Sequence, residues 1–154
     1  MSMRRCAVLL VLGIAAVAAA VSAPMPEDVV GDWVPAGGSC DATTRLRVES
    51  QRMTLVNGSD QQSWGDLETA LTFFGPEYDG ISTVVMPDFD SGDPPFTVYF
   101  NADEKKGVTK VEIYVPMQGN TNAQVAAIQA KHEKLAKRFP GLNMTPLKRC
   151  AATK

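Results

Sequence analysis

Histidine is nearly absent from this sequence, which contains only His132. Histidine is the only side chain whose ordinary pKa brings its charge change between roughly pH 5 and 8, so acid–base catalysis near neutral pH has few candidates. The sequence also lacks a Gly-x-Ser-x-Gly nucleophile motif, a His-Glu-x-x-His zinc motif and a glycine-rich phosphate loop. We therefore assign no catalytic residue and no cofactor.

An excess of positive charge is also missing. The formal net charge is −2, and loss of Arg4 and Arg5 with a leader peptide would lower it to about −4. Nucleic acids and anionic membranes are bound through concentrated positive charge. The composition thus argues against a nucleic-acid partner. No run after residue 23 is apolar enough to span a membrane, so we expect no membrane span after processing.

The N-terminal segment has the organisation of a secretory signal peptide. Arg4 and Arg5 precede the apolar run 7–21, and small residues follow it. We predict that residues 1–22 are the leader, with cleavage between about 20 and 23. The remaining chain, 23–154, is of single-domain length, and its location is predicted to be secreted or periplasmic.

Cysteine is scarce, and one of the three residues, Cys6, lies in the predicted leader. The even pair that remains, Cys40 and Cys150, is most simply a disulfide in an oxidising compartment. A zinc site would need about four ligands, and two thiols with one histidine do not supply them. A nucleophilic Cys40 would need a base and would have to remain unpaired.

Most of the mature chain has the pattern of short β-strands. Residues 44–49 and 109–115 alternate between polar and apolar side chains, and Asn57-Gly58 is typical of a tight turn. Residues 64–74 fit either a helix or a strand, and we favour a strand over 67–73 because of its threonines and phenylalanines. Short connections predict an antiparallel meander of six or seven strands. The predicted runs are 33–35, 44–49, 52–56, 67–73, 81–86, 96–100 and 109–115.

One amphipathic helix is predicted over residues 121–138. Thr121 and Gln124 form a potential capping box, and Pro140-Gly141 ends the helix. An apolar stripe with His132 in it should pack on the sheet, which makes His132 a partly buried core or edge residue. The stripe consists of Val125, Ile128, His132, Leu135 and Phe139. We interpret the basic residues Lys131, Lys134, Lys137 and Arg138 as a solvated face in preference to a binding patch, and the last three complement the helix dipole.

The predicted fold class is α+β: an antiparallel sheet, open or partly closed into a barrel, with the C-terminal helix packed on it. The Gly31-x-Trp33 start, the meander, the late helix and the terminal cysteine together resemble the lipocalins. They also resemble smaller secreted barrels that inhibit proteases or lysozyme. The sequence is shorter than a lipocalin and has fewer predicted strands than eight, so no family site is transferred to it.

The segment Pro87–Pro95 is rich in aspartate and proline. Asp88, Asp90 and Asp93 could offer oxygen ligands to calcium, but their spacing differs from an EF-hand loop and no glutamate closes it. Aspartate, serine, glycine and proline also make up ordinary long turns. We favour the turn over the metal site.

The function predicted from these features is a non-enzymatic binding module for a protein or a small apolar ligand. Ligand contact is expected near loops 75–80 and 87–95, where aromatic residues are frequent. The candidate binding residues are Trp33, Phe74, Tyr78, Phe89 and Phe96. Two alternatives remain: an envelope hydrolase that uses carboxylates or a loop-bound cation, and a structural subunit of an envelope complex.

Overall fold

The computed structural model describes residues 24–73, 81–87, 94–102, 107–114, 116, 119 and 122–150, with only the backbone of 71–73 and 81–84. The predicted leader lies outside these residues. Within the described ranges, nine strands form one antiparallel sheet that curls into a nearly closed barrel, accompanied by one helix, α1. The elements are β1 Gly31–Pro35, β2 Thr44–Glu49, β3 Arg52–Asn57, β4 Asp60–Trp64, β5 Leu67–Phe73, β6 Ile81–Pro87, β7 Thr97–Phe100, β8 Thr109–Glu112, α1 Ala123–Arg138 and β9 Pro146–Arg149.

The sheet consists of two local meanders joined by the last strand. Its strand order is β4-β3-β2-β1-β9-β8-β7-β6-β5, so β4 and β5 are the edges. β9 pairs with β1 on one side, at Trp33↔Arg149, and with β8 on the other, at Thr109↔Leu147. The C-terminal strand therefore occupies the centre of the sheet.

The sequence prediction of six or seven strands is too low by two or three, and the seven predicted runs omit β4 and β9, which have little of the usual strand signal. β4 is the polar segment Asp60–Trp64, and aspartate and glutamine are not typical strand residues. β9 begins with a proline, and Leu147 is its only buried side chain. Both strands owe their pairing to neighbours that are strongly predicted. The strand favoured at 67–73 is confirmed by its register with β6.

Strand β8 ends at Glu112, earlier than the predicted 115. After Glu112 the side chain of Asn143, and not a neighbouring strand, forms hydrogen bonds with the backbone. The Asn143 Oδ1 atom accepts hydrogen bonds from the backbone amides of Ile113 (2.8 Å) and Tyr114 (3.0 Å). Its Nδ2 donates to the Tyr114 carbonyl at 2.9 Å. One side chain thus satisfies three backbone groups that a neighbouring strand would otherwise pair.

The barrel interior is filled by large apolar side chains from both meanders and from the end of the helix. Trp33 packs against Phe100, with ring centroids 5.4 Å apart, and its indole Nε1 donates to the Val29 carbonyl at 2.9 Å. Phe139 and Leu142 are fully buried in the same cluster. This continuous core holds the C-terminal end of the helix against the sheet.

The predicted disulfide between Cys40 and Cys150 is confirmed. Cys150 directly follows β9, and Cys40 lies in the loop after β1, with 5.7 Å between their Cα atoms. The bond closes a loop of 110 residues. The Cys150 amide also donates to the Asp32 carbonyl at 2.8 Å, so the disulfide reinforces an existing strand pairing.

Helix α1 begins two residues later than predicted, at Ala123. Its N-cap is Asn122, whose side chain accepts from the Val125 amide at 2.9 Å, so the assignment of the cap to Thr121 is wrong. The N-cap therefore lies one residue after the predicted Thr121, and asparagine is at least as good an N-cap as threonine. In the part of the chain that the structure describes, no helix has the length and apolar character needed to cross a membrane.

Candidate functional site

The C-terminal end of α1 is fixed to the hairpin formed by β3 and β4. The Arg138 guanidinium donates to both carboxylate oxygens of Asp60, at 2.6 and 3.1 Å, and also to Gln62 Oε1. Asn57 Nδ2 donates to the Arg138 carbonyl at 2.9 Å, which satisfies one of the free carbonyls at the helix end. The helix is therefore held by its last turn.

The ion pair at this junction keeps both partners charged. Hydrogen bonds from Arg138 hold the pKa of Asp60 below its ordinary value of 3.8, despite the opposing effect of desolvation. The same hydrogen bonds raise the pKa of Arg138 above its ordinary range. The carboxylate of Asp60 thus neutralises the Arg138 charge throughout the neutral pH range.

The apolar stripe of α1 packs on the barrel only at its C-terminal end. Leu135 and Phe139 are buried, whereas Val125, Ile128 and His132 are only half-buried. The first turns of the helix are therefore not sealed against the sheet.

A cleft of about 730 Å³ lies between this part of α1 and strand β4. Its apolar surface comes from Trp64 and Pro95 on one side and from Ala127, Ile128 and Leu135 on the helix. Trp64 is held edge-on against Phe96, with centroids 4.8 Å apart, so its position is set by the barrel core. Pro95 is the point at which the loop predicted to contact a ligand, 87–95, reaches the cleft.

The polar lining of the cleft carries positive charge. It consists of Gln62, Gln124, Lys131, His132, Lys134 and Arg138, and no aspartate or glutamate is among the described lining residues. Lys137, in contrast, lies outside the cleft and pairs with Glu133 at 2.7 Å. The structure thus divides the basic cluster of the sequence: one lysine belongs to an ordinary exposed ion pair, and three cations line a concave surface.

Comparisons with protein-family models, with curated proteins and with solved structures find no match. The cleft and its side chains are therefore the basis for a functional proposal.

Two of the aromatic residues predicted to bind a ligand lie in the core. Trp33 is 5% exposed and Phe96 is 1% exposed, and both pack against other aromatic rings. Phe96 reaches the cleft only indirectly, by supporting Trp64. Direct ligand contact by either residue stays a prediction.

The other predicted candidates, Phe74, Tyr78 and Phe89, lie outside the described residues. The same holds for the three loop aspartates Asp88, Asp90 and Asp93. Within the described ranges, no group of three or more His, Cys, Asp or Glu side chains is placed to hold a metal ion.

Sequence reasoning missed Gln62 and Trp64, because it did not recognise β4. The signal was present in the Asn57-Gly58 turn, where Gly58 has a φ of +61° and Asn57 pairs with Asp60 across the hairpin. A tight turn after β3 requires a returning strand, whatever the polarity of the residues that follow.

A second polar cluster lies on the face of β1 and β2 opposite the core. Asp32 accepts from Arg47 Nε at 2.9 Å and from Arg45 Nη1 at 3.2 Å. Burial raises the pKa of Asp32, but hydrogen bonds and charges from the two arginines outweigh it, so the pKa lies below the ordinary 3.8. Both arginines bind Asp32, which gives this cluster a structural role.

Proposed function

We propose that this protein is a secreted or periplasmic binding module without catalytic activity, and that it holds a small, largely apolar ligand in the cleft between α1 and β4. The observation that carries the proposal is the cleft itself, which combines apolar surface, centred on Trp64, Ile128 and Leu135, with a comparable amount of polar and charged surface. In small-molecule sites apolar surface supplies affinity and polar groups fix orientation.

The size of the cleft supports a small molecule. At about 730 Å³ it falls within the range of roughly 300–1,000 Å³ that ligand pockets usually occupy. Trp64 is held by Phe96, and the last turn of the helix is held by Arg138, so these two parts of the cleft are fixed before a ligand arrives. A site formed in advance loses less entropy on binding.

The predicted leader and the disulfide support the proposed location. Disulfides persist in oxidising compartments, such as the periplasm and the extracellular space. The pairing of Cys40 with Cys150 is the arrangement expected for a chain that matures there.

Binding of the neutral dye N-phenyl-1-naphthylamine tests the proposal. Its fluorescence should rise saturably with a single class of site on the wild-type protein. Ala127→Trp should raise the Kd for the dye at least about tenfold, because a large ring replaces a methyl group in the cleft lining.

Ala130→Trp is the matched control, because Ala130 is an exposed residue on the same helix but does not line the cleft. It should bind the dye like the wild type. Equal dye binding by Ala127→Trp and Ala130→Trp, with both variants folded by circular dichroism, would show that the cleft is not the site.

A further inference from the structure

We propose that the ligand of this cleft is an amphipathic organic anion, with an apolar body and one carboxylate or phosphate head group. The inference rests on the proposed function, since it assigns a chemical class to the ligand of the same site. It follows from the distribution of charge around the cleft.

The cations of the cleft are placed in succession along one helix face. Lys131, Lys134 and Arg138 are separated by three and four residues, so each lies about one helical turn from the next. Ile128 and Leu135, from the apolar stripe of the helix, supply apolar surface beside these cations. An apolar body against Trp64 and Ile128 would bring its head group to the lysines.

The three cations are not equivalent. Arg138 is already neutralised by Asp60, and it is used to hold the helix. Lys134 forms no ion pair with any of the described residues, and no carboxylate lies among the described residues that line the cleft. The ammonium group of Lys134 is therefore the part of the cleft whose charge an anionic head group would complement.

The charge of the cleft is opposite to that of the whole chain. The full chain has a formal net charge of −2, which weakly repels anions at long range. A concave cationic site on such a surface selects for an anion at that point, while general attraction of polyanions remains weak. This pattern fits a small anion better than an extended polyanion.

Competition against N-phenyl-1-naphthylamine tests the inference. The competitors are dodecanoate, dodecyl phosphate, dodecanol and dodecyltrimethylammonium, each below its micelle concentration. They share one alkyl chain and differ in the head group. Dodecanoate or dodecyl phosphate should compete about two- to fivefold better than dodecanol, which is the upper part of the range that an exposed ion pair contributes. Dodecyltrimethylammonium should be the weakest, and the better of the two anions identifies the head group.

Lysine substitutions locate the effect. Lys134→Gln should weaken the preferred anion by about two- to fivefold and leave dodecanol unchanged. Lys137→Gln removes the same charge from the same helix outside the cleft and is the matched control. It should leave every competitor unchanged.

The outcomes separate the inference from the proposed function. If the dye binds in the cleft but dodecanol competes as well as both anions, the ligand class is wrong and the binding function stands. If Lys137→Gln weakens the anion as much as Lys134→Gln, the preference reflects general charge, and the inference is wrong. If the dye does not bind saturably to the wild type, the proposed function fails, and the inference fails with it.

Discussion

Removal of the Cys40–Cys150 disulfide should destabilise the protein through its unfolded state. In the folded chain the two ends remain paired without the covalent bond, because β9 pairs with β1 and the Cys150 amide donates to the Asp32 carbonyl at 2.8 Å. The double substitution Cys40→Ala/Cys150→Ala therefore releases the unfolded chain while the native strand pairing persists. Alanine avoids burial of a new polar group at position 150, which is 8% exposed.

The size of the effect follows from the closed loop. For a separation of 110 residues, the chain-entropy relation gives about 4–5 kcal/mol at 25 °C. Domains of this size are commonly stable by about 5–15 kcal/mol, so the loss is a large part of the total. The variant should still fold, but with a much lower free energy of unfolding.

Urea denaturation followed by tryptophan fluorescence measures this loss. Trp33 is 5% exposed and Trp64 is half-buried, so both indoles report on loss of the core. The midpoint should fall, and the m value should rise because the uncrosslinked unfolded chain exposes more surface. Reduced wild-type protein, measured in dithiothreitol, should match the double variant.

Two results would refute the reasoning. A loss below about 1 kcal/mol would mean that the unfolded chain is not constrained by the bond. A loss of the expected size with an unchanged m value would place the effect in the native state instead, as a disturbance of the β1–β9 junction.

Two further predictions concern the packing of the core and the stability of the protein at low pH. Phe139→Ala should lower the free energy of unfolding by about 3–5 kcal/mol, because a fully buried ring is lost. The control is Met144→Ala, at a side chain that is 48% exposed. In the same urea titrations it should change the free energy of unfolding by less than about 0.5 kcal/mol. Similar losses in the two variants would contradict the burial assigned to Phe139. The depressed pKa of Asp32 adds stability that is present above the unfolded value of 3.8 and is lost as the pH falls through the lower folded value. Asp32→Asn should therefore lower the free energy of unfolding by about 1 kcal/mol near pH 7 and make it less dependent on pH below about pH 4. A pH dependence identical to that of the wild type in this range would be evidence against the ion pairs.

The strands with clear sequence patterns were predictable, and those defined by their partners were not. In β2, Leu46 and Val48 alternate with arginines, and the structure places the valine and leucine in the core as the pattern predicts. Strands β4 and β9 have weak patterns of their own and are fixed by pairing with β3, β1 and β8. For β9 the pairing depends on residues distant in sequence, so a local pattern does not contain it. The partner of β4 is its neighbour in the chain, and the turn between them is the local signal for it.

The helix that forms one side of the cleft could be predicted from the sequence, but the cleft itself could not. The periodicity of Ile128, His132 and Leu135 indicated the face that turns inward, while the structure shows full burial only near the end of α1. How far a helix lies from a sheet depends on tertiary contacts, here those of Arg138 with Asp60. The same lysines can therefore lie on an open surface or in a cleft, and the sequence alone does not distinguish the two.

The central position of β9 has a consequence for the order of folding. Strands β1–β4 and β5–β8 can each pair locally, but β1 and β8 are joined only through a strand that comes last in the chain. A chain that emerges from its N-terminus cannot complete the sheet until residues 146–149 are available. The β1–β9 junction pairs residues that are far apart in the sequence, such as Trp33 and Arg149, so we expect it to form last and to be the slow step of folding. The two meanders would meanwhile expose the edges of β1 and β8, so the interval before β9 arrives is the period in which this protein is most prone to aggregate.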